Sequence, residues 1–136
     1  MLEVLCDQQM YIILKTLLAY KIRLCLPKGT RLIEKTKKKL GLKSKLVNWI
    51  VSDINNFIPK KKYDLWHDRA AFHFLKSEED INKYVAIAEQ AIKPGGYLVL
   101  GTFSEQGPKK CSGLEIKQYN ASSMSSRFKK SFERFR

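Results

Sequence analysis

The residues of this chain that could do chemistry fall in four places. Ser52 and Asp53 close a β-branched, aromatic-rich run, and His67, Asp68 and Arg69 stand in a row after a second short run. His73 sits between Phe72 and Phe74, and Cys111 is followed by Ser112 and Gly113. A carboxylate such as Asp53 accepts hydrogen bonds from a ligand amine or from backbone N–H groups. The His67-Asp68-Arg69 triplet builds either a polar site or a solvated network closed by a histidine cap. Two histidines without a third ligand do not make a metal site. Cys111 has no base positioned near it in sequence, so it reads as a structural thiol. The chemistry on offer is binding and positioning, with no nucleophile or metal centre.

Positioning such groups takes a scaffold, and the apolar pattern supplies one. Thr30–Leu40 reads as a helix, with Leu32, Ile33, Thr36 and Leu40 on one side and lysines on the other, stopped by Gly41. Leu46-Val47-Asn48-Trp49-Ile50-Val51 and Tyr63-Asp64-Leu65-Trp66 read as short strands. Pro59 and three lysines form a loop between them, and residues 68–75 a turn that becomes partly helical. A helix is expected over residues 77–92, with Ser77 as N-cap, acidic residues in its first turn, and a stripe of Ile81, Tyr84, Val85, Ala88 and Ile92. Lys93-Pro94-Gly95-Gly96 breaks the chain before Tyr97-Leu98-Val99-Leu100-Gly101-Thr102-Phe103, a strand apolar on both faces, as in the centre of a parallel sheet. A last helix is expected over residues 122–135, and a buried amphipathic helix over residues 10–20. Alternating strands and helices give an α/β fold: a Rossmann-like three-layer α/β/α domain around a mostly parallel sheet. Ligands of such sheets bind outside the carboxyl ends of the strands, where Asp53, His67 and Thr102-Phe103-Ser104 are expected.

Size and charge narrow the classes. The chain has 136 residues, 44% of them hydrophobic, enough for one packed domain. Its three cysteines form no disulfide framework and no zinc spacing, so a reducing, cytoplasmic setting is expected. Residues 11–20 are interrupted by Lys15 and are too short to span a bilayer, and no secretory leader precedes them. No membrane role is expected. The net charge is +13, with 14 Lys/Arg against 4 Asp/Glu over residues 1–62. That excess is densest over residues 31–45 and at Lys60-Lys61-Lys62. It reads as a solvated face, with nucleic-acid binding through the Lys-rich N-terminal half as the sharper alternative.

Taken together, the motifs are more specific than they are singly. Tyr63-Asp64-Leu65-Trp66-His67-Asp68-Arg69-Ala70-Ala71-Phe72-His73-Phe74-Leu75 resembles the segment after strand 4 of class I S-adenosylmethionine-dependent methyltransferases, in a bacterial subgroup with a WHDRAxFHFL signature. Ile92-Lys93-Pro94-Gly95-Gly96 and the run after it resemble that family's LKPGG turn and strand 5. Lys109-Lys110-Cys111-Ser112-Gly113-Leu114 is similar to the subgroup's CSGL segment, and Asn48-Trp49-Ile50-Val51-Ser52-Asp53-Ile54 to strand 3 and the acid after it. The resemblance implies a seven-stranded doubly wound sheet, S-adenosyl-L-methionine as cofactor, and methyl transfer to a small-molecule or protein acceptor. It implies that Asp53 bonds the adenine amine and Ile54 packs on the adenine ring. His67 and Asp68 would lie near the methionine end of the cofactor or the acceptor. No catalytic triad is implied, because transfer from a sulfonium rests mainly on in-line positioning.

The chain departs from that pattern at both ends. No Gly-rich loop occurs before Thr30, and Leu24-Cys25-Leu26-Pro27 stands where strand 2 and a ribose-binding acid belong. The expectation is a single methyltransferase-like domain: an atypical segment over residues 1–29, a family-like core over 30–120, and a truncated C-terminal helix over 121–136. Such a domain is an incomplete version of the seven-stranded fold. Its function is either methyl transfer with impaired cofactor binding, or a non-catalytic remnant that binds a partner.

Overall fold

The computed structural model describes residues 12–15, 21–25, 30–69 and 71–134. Five strands form the main sheet: β1 (Ile12–Lys15), β2 (Lys21–Cys25), β3 (Val47–Val51), β4 (Tyr63–Asp68) and β5 (Ile92–Leu100), in the order β3-β2-β1-β4-β5. β2 runs parallel to β3 and β4 parallel to β5, whereas β1 is antiparallel to both its neighbours. The expected Rossmann-like, mostly parallel sheet is therefore present, with one reversed strand at its centre.

That strand corrects the helix expected over residues 10–20, since Ile12–Lys15 is extended. The apolar spacing fits either period over so short a run. What decides is pairing on both sides, to β2 and to β4. Only five residues, 16–20, join β1 to β2, too few for the crossover that parallel neighbours need. The rest of that predicted helix, and Leu26 and Pro27, lie outside the described residues.

The remaining connections are crossovers. Helix α1 (Thr30–Leu40) leads through a 3₁₀ turn (Gly41–Leu46) from β2 to β3. Helix α2 (Glu78–Ala91) leads from β4 to β5. The two crossovers step outward in opposite directions, so right-handedness places the helices on opposite faces. The side chains of β3 agree: Lys37 of α1 lies over the Trp49 ring at 5.6 Å, while Ile50 packs against the core beneath α2. β3 reaches β4 through residues 52–62, which hold only a short 3₁₀ turn (Ile54–Asn56).

The core lies between α2 and the β4–β5 half of the sheet. Trp66, Tyr84 and Phe72 meet edge to face, with Phe57, Ile81, Ala88 and Phe128 around them. Helix α2 begins as its sequence predicts, with the Ser77 hydroxyl accepting from the Asp80 N–H. Helix α3 (Ala121–Phe128) closes the core and starts with a reciprocal cap between Asn120 and Ser123. It ends at Phe128, short of the expected residue 135. The Ser125 and Ser126 hydroxyls bond carbonyls one turn back, a habit that weakens helix propagation.

β5 also differs from expectation. It pairs only with β4 among the described strands, and its residues alternate. Leu98 and Leu100 pack against the core, whereas Tyr97 and Val99 face outward. It is an edge strand here, not a central one. Strand begins at Ile92, and the stretch after it loops out of register opposite Asp64. Gly95 turns there at φ +75°, and Gly96 packs so closely that a Cβ would lie 3.0 Å from the Asp64 carbonyl oxygen. Lys93 closes the loop with an ion pair to Asp64 at 3.0 Å.

A separate hairpin, β6 (Lys110–Cys111) and β7 (Leu114–Glu115), turns through Ser112 and Gly113 at φ 50° and 81°. Two successive left-handed residues make this the tight turn suited to a two-residue hairpin. The Cys111-Ser112-Gly113-Leu114 motif is therefore a fold element, and Cys111 is a free thiol at its side.

Candidate functional site

The carboxyl edge of the sheet brings the sequence-predicted residues to one end of the molecule. β2, β3, β4 and β5 all end there, followed by Ser52-Asp53, by Arg69, and by Gly101-Thr102-Phe103-Ser104. Because β1 is reversed, Ile12 lies opposite Leu24 and Asp68, so β1 begins at this edge where the other strands finish.

Asp53 is exposed just past β3. Its Oδ1 accepts the Asn55 N–H at 2.8 Å, which caps the 3₁₀ turn. Its Oδ2 has no hydrogen-bond partner among the described residues, and the loop that follows it is anchored to α2. The anchor is Asn55, whose amide donates to Asp80 Oδ1 at 2.8 Å. One oxygen thus builds the turn, and the other accepts no hydrogen bond from the described residues.

Ile54 is the opposite case. It is 3% exposed and belongs to the core. The resemblance implies packing on the adenine ring, and a side chain this buried offers little surface for it.

Asp68 is buried as well. Its carboxylate is fully buried, and it takes the Ala71 N–H on Oδ1 at 2.7 Å. On Oδ2 it takes the Phe72 N–H at 3.0 Å and the Tyr84 hydroxyl at 2.7 Å. The Tyr84 oxygen accepts in turn from the Trp66 indole N–H at 3.0 Å. Burial, then the Asp68 charge, raise the Tyr84 pKa well above its ordinary value, so the phenol stays a donor. Asp68 shapes the strand end from below and presents no oxygen to a ligand. Sequence reasoning missed its partner Tyr84, which lies sixteen residues on and reads there only as part of an apolar stripe.

His67 is half-buried on the other face of β4, in register with Val99. Burial, then the Arg69 charge, lower its pKa against a smaller opposing effect of Asp68. It is a neutral hydrogen-bonding group at pH 7. His73 lies in a 3₁₀ turn (Phe72–Phe74), 1% exposed, against Phe74 at 4.3 Å and Phe103 at 5.1 Å. Burial lowers its pKa to about 4, and neither ring nitrogen has a hydrogen-bond partner among the described residues. The strap after the hairpin holds this region: Lys117 N–H donates to the His73 carbonyl at 2.8 Å and Tyr119 N–H to that of Phe103 at 3.0 Å. Among the described residues no group of His, Cys, Asp and Glu could hold a metal ion, and no helix is long and apolar enough to cross a membrane.

A doubly wound sheet with a carboxylate after β3 and a polar, clamped segment after β4 is a Rossmann-like architecture, a class whose ligands bind at the carboxyl edge. The comparisons specify it further. No family model matches the chain. Malonyl-[acyl-carrier protein] O-methyltransferase 2 of Ilyobacter polytropus is 34% identical over 74 residues, which are 54% of this chain and 27% of that protein. The apo crystal structure of the S-adenosylmethionine-dependent methyltransferase SibL superposes over 79% of this chain and 36% of its own, with a TM-score of 0.62 at 17% identity. The chain thus shares the fold of an S-adenosylmethionine-dependent methyltransferase and, over the matched stretch, is similar in sequence to another methyltransferase. It spans about a quarter to a third of the length of these relatives.

Proposed function

We propose that the chain supplies the middle of a methyl-transfer domain and binds S-adenosyl-L-methionine at the carboxyl edge of its sheet. The observation that carries this is Asp53, an exposed carboxylate past β3 with one oxygen engaged by its own loop and one open. That open oxygen accepts the adenine amine in this reading. His67, neutral and half-buried three strands away, lines the same edge toward the sulfonium or the acceptor. A neutral imidazole suits that place, since a cation would repel the sulfonium. Asp68, Tyr84 and Trp66 hold the strand end in position without touching the ligand.

When bound, the cofactor supplies a methyl group on a positively charged sulfur. The name of the Ilyobacter relative makes a carboxylate oxygen the first acceptor class to try. Transfer to a carboxylate forms a C–O bond and breaks the S–CH₃ bond, and the sulfur keeps the electron pair. A carboxylate has no proton to lose, so its methylation needs no general base.

A second reading is a non-catalytic remnant that binds a partner. The reversed β1 favours it: among the described residues no Gly-rich turn follows a strand at the switch between β1 and β4. Calorimetric titration of the purified chain with S-adenosyl-L-methionine decides between them. A dissociation constant in the micromolar range supports the transferase reading. Absence of heat up to millimolar cofactor leaves the remnant.

A further inference from the structure

The lysines of this chain gather on the edge opposite the candidate site. β3 and β4 are parallel in sense, so the segments that lead into them meet at the same amino edge of the sheet. Into β3 leads the 3₁₀ turn with Lys43 and Lys45, and into β4 lead the lysines at 60–62. Helix α1 returns from the carboxyl edge, so its last turn, with Lys37, Lys38 and Lys39, also ends here. All eight are exposed. Two inter-strand neighbours separate β3 from β4, about 14 Å across three spacings. Asp64, an acidic group at this edge, is already paired with Lys93.

Two apolar side chains stand among these cations. Leu42 is 83% exposed and Leu46 is 56% exposed, and they flank Lys43 and Lys45 within one short turn. A surface turn in a soluble interface needs no such pair, and a nucleic-acid groove makes no use of them, since phosphate takes hydrogen bonds and bases take stacking. Among the described residues no exposed aromatic accompanies the lysines: Tyr63, with Lys61 over its ring, is buried, and Trp49 is half-buried under Lys37. The cations are all lysines, point charges without the fork that grips single phosphates. Diffuse positive charge around two aliphatic prongs complements a bilayer surface with anionic headgroups and accessible acyl chains.

We propose that the amino edge of the sheet is a peripheral docking surface for anionic membranes, with Leu42 and Leu46 entering the interface and the lysines meeting the headgroups. The surface lies on the far side of the sheet from Asp53, so docking leaves the carboxyl edge open to solution. The proposal does not depend on the transferase reading.

The test is co-sedimentation of the full chain with vesicles of phosphatidylcholine alone and of phosphatidylcholine mixed with phosphatidylglycerol. Binding to the mixed vesicles only, weakening with added salt, is expected. L42S/L46S lowers partition at least about tenfold by removing the inserted side chains. Charge reversal at Lys60, Lys61 and Lys62 lowers it by roughly fivefold or more for each position. Thermal melts of both variants confirm folding, and either variant alone suffices as the test. No binding to mixed vesicles overturns the proposal, as does vesicle binding that neither variant weakens. Salt-sensitive binding of a mixed-sequence single-stranded RNA, unchanged in L42S/L46S and without vesicle binding, also overturns it and reassigns the lysines to nucleic acid.

Discussion

The Tyr84 hydroxyl donates to Asp68 Oδ2 at 2.7 Å, and this one bond joins helix α2 to the end of β4 beneath the candidate site. Tyr84→Phe removes the donor and leaves the Trp66 indole N–H without its acceptor. A hydrogen bond to a buried carboxylate contributes about 1.5–3 kcal/mol, and an orphaned N–H adds to the loss. Urea unfolding of Y84F is expected to show a destabilisation of about 3 kcal/mol with an unchanged m-value. A change under about 0.5 kcal/mol, the range of ordinary surface substitutions, removes Asp68 from the role of anchor.

His73 carries the pH dependence near neutrality. Its folded pKa of about 4 lies below the ordinary 6.5. Between these values the unfolded chain binds the extra proton, so stability is complete above about pH 6.5 and declines as the pH falls toward 4. The full decline is about 3 kcal/mol. His73→Phe takes away the titrating group and two unsatisfied nitrogens. Chemical unfolding across this range is expected to give H73F a higher stability at pH 5 than the parent and a flatter profile. A parent profile that is flat from pH 7 to pH 5 contradicts the burial argument.

Glu78 governs a lower window. Hydrogen bonds from Arg127 and Lys117 hold its pKa near 2, below the ordinary 4.5. Stability from this cluster is present above about pH 4.5 and lost as the pH falls toward 2. The cluster ties α3 and the strap to the first turn of α2. Glu78→Gln is expected to remove this acid-dependent component and to speed amide exchange in α3 while leaving the core of β4 protected. Equal exchange in parent and variant would show that packing alone holds the helix.

Asp53→Ala separates binding from folding. The side chain is exposed and its loss removes one turn cap, so the melting temperature should move little. Affinity for S-adenosyl-L-methionine is expected to fall at least about tenfold, the worth of one charge-assisted hydrogen bond. Calorimetry on parent and variant checks both halves, and retained affinity in D53A dismisses the adenine contact.

Gly96→Ala tests the looped-out turn. An added Cβ would sit 2.8 Å from Ile92 Cγ2, besides crowding the Asp64 and Lys93 carbonyls. Steric overlap with backbone on two sides forces β5 away from β4, and a loss of about 2 kcal/mol is expected from thermal or urea unfolding. Gly113→Ala meets no neighbour and carries only the cost of positive φ, about 1 kcal/mol. Equal losses in the two variants would mean that Gly96 is kept for conformation alone.

What could be read in advance was local. Ser77 as cap, the stripe through Ile81, Tyr84 and Ala88, and the strand before His67 follow from spacing within one element. Asp68 is different, because whether it faces a ligand or the core depends on Tyr84 and on two backbone amides that only folding assembles. The same holds for Ile12–Lys15, whose period fits helix or strand until its two neighbours fix it. Tyr97 and Val99 misled for a third reason. Their pattern reads as a strand covered on both faces, whereas Tyr97 and Val99 stand about half exposed on one of them.

The outer margin of β5 is a place where a foreign strand could add. Yet only Tyr97, Leu98, Val99 and Leu100 keep regular register with β4. Ahead of them Pro94 has no N–H to offer, and the backbone at Gly95 turns away. The stretch open to recruitment is thus shorter than a typical strand of about 5–6 residues. The turn that begins the strand thereby shortens the edge on which another strand could pair.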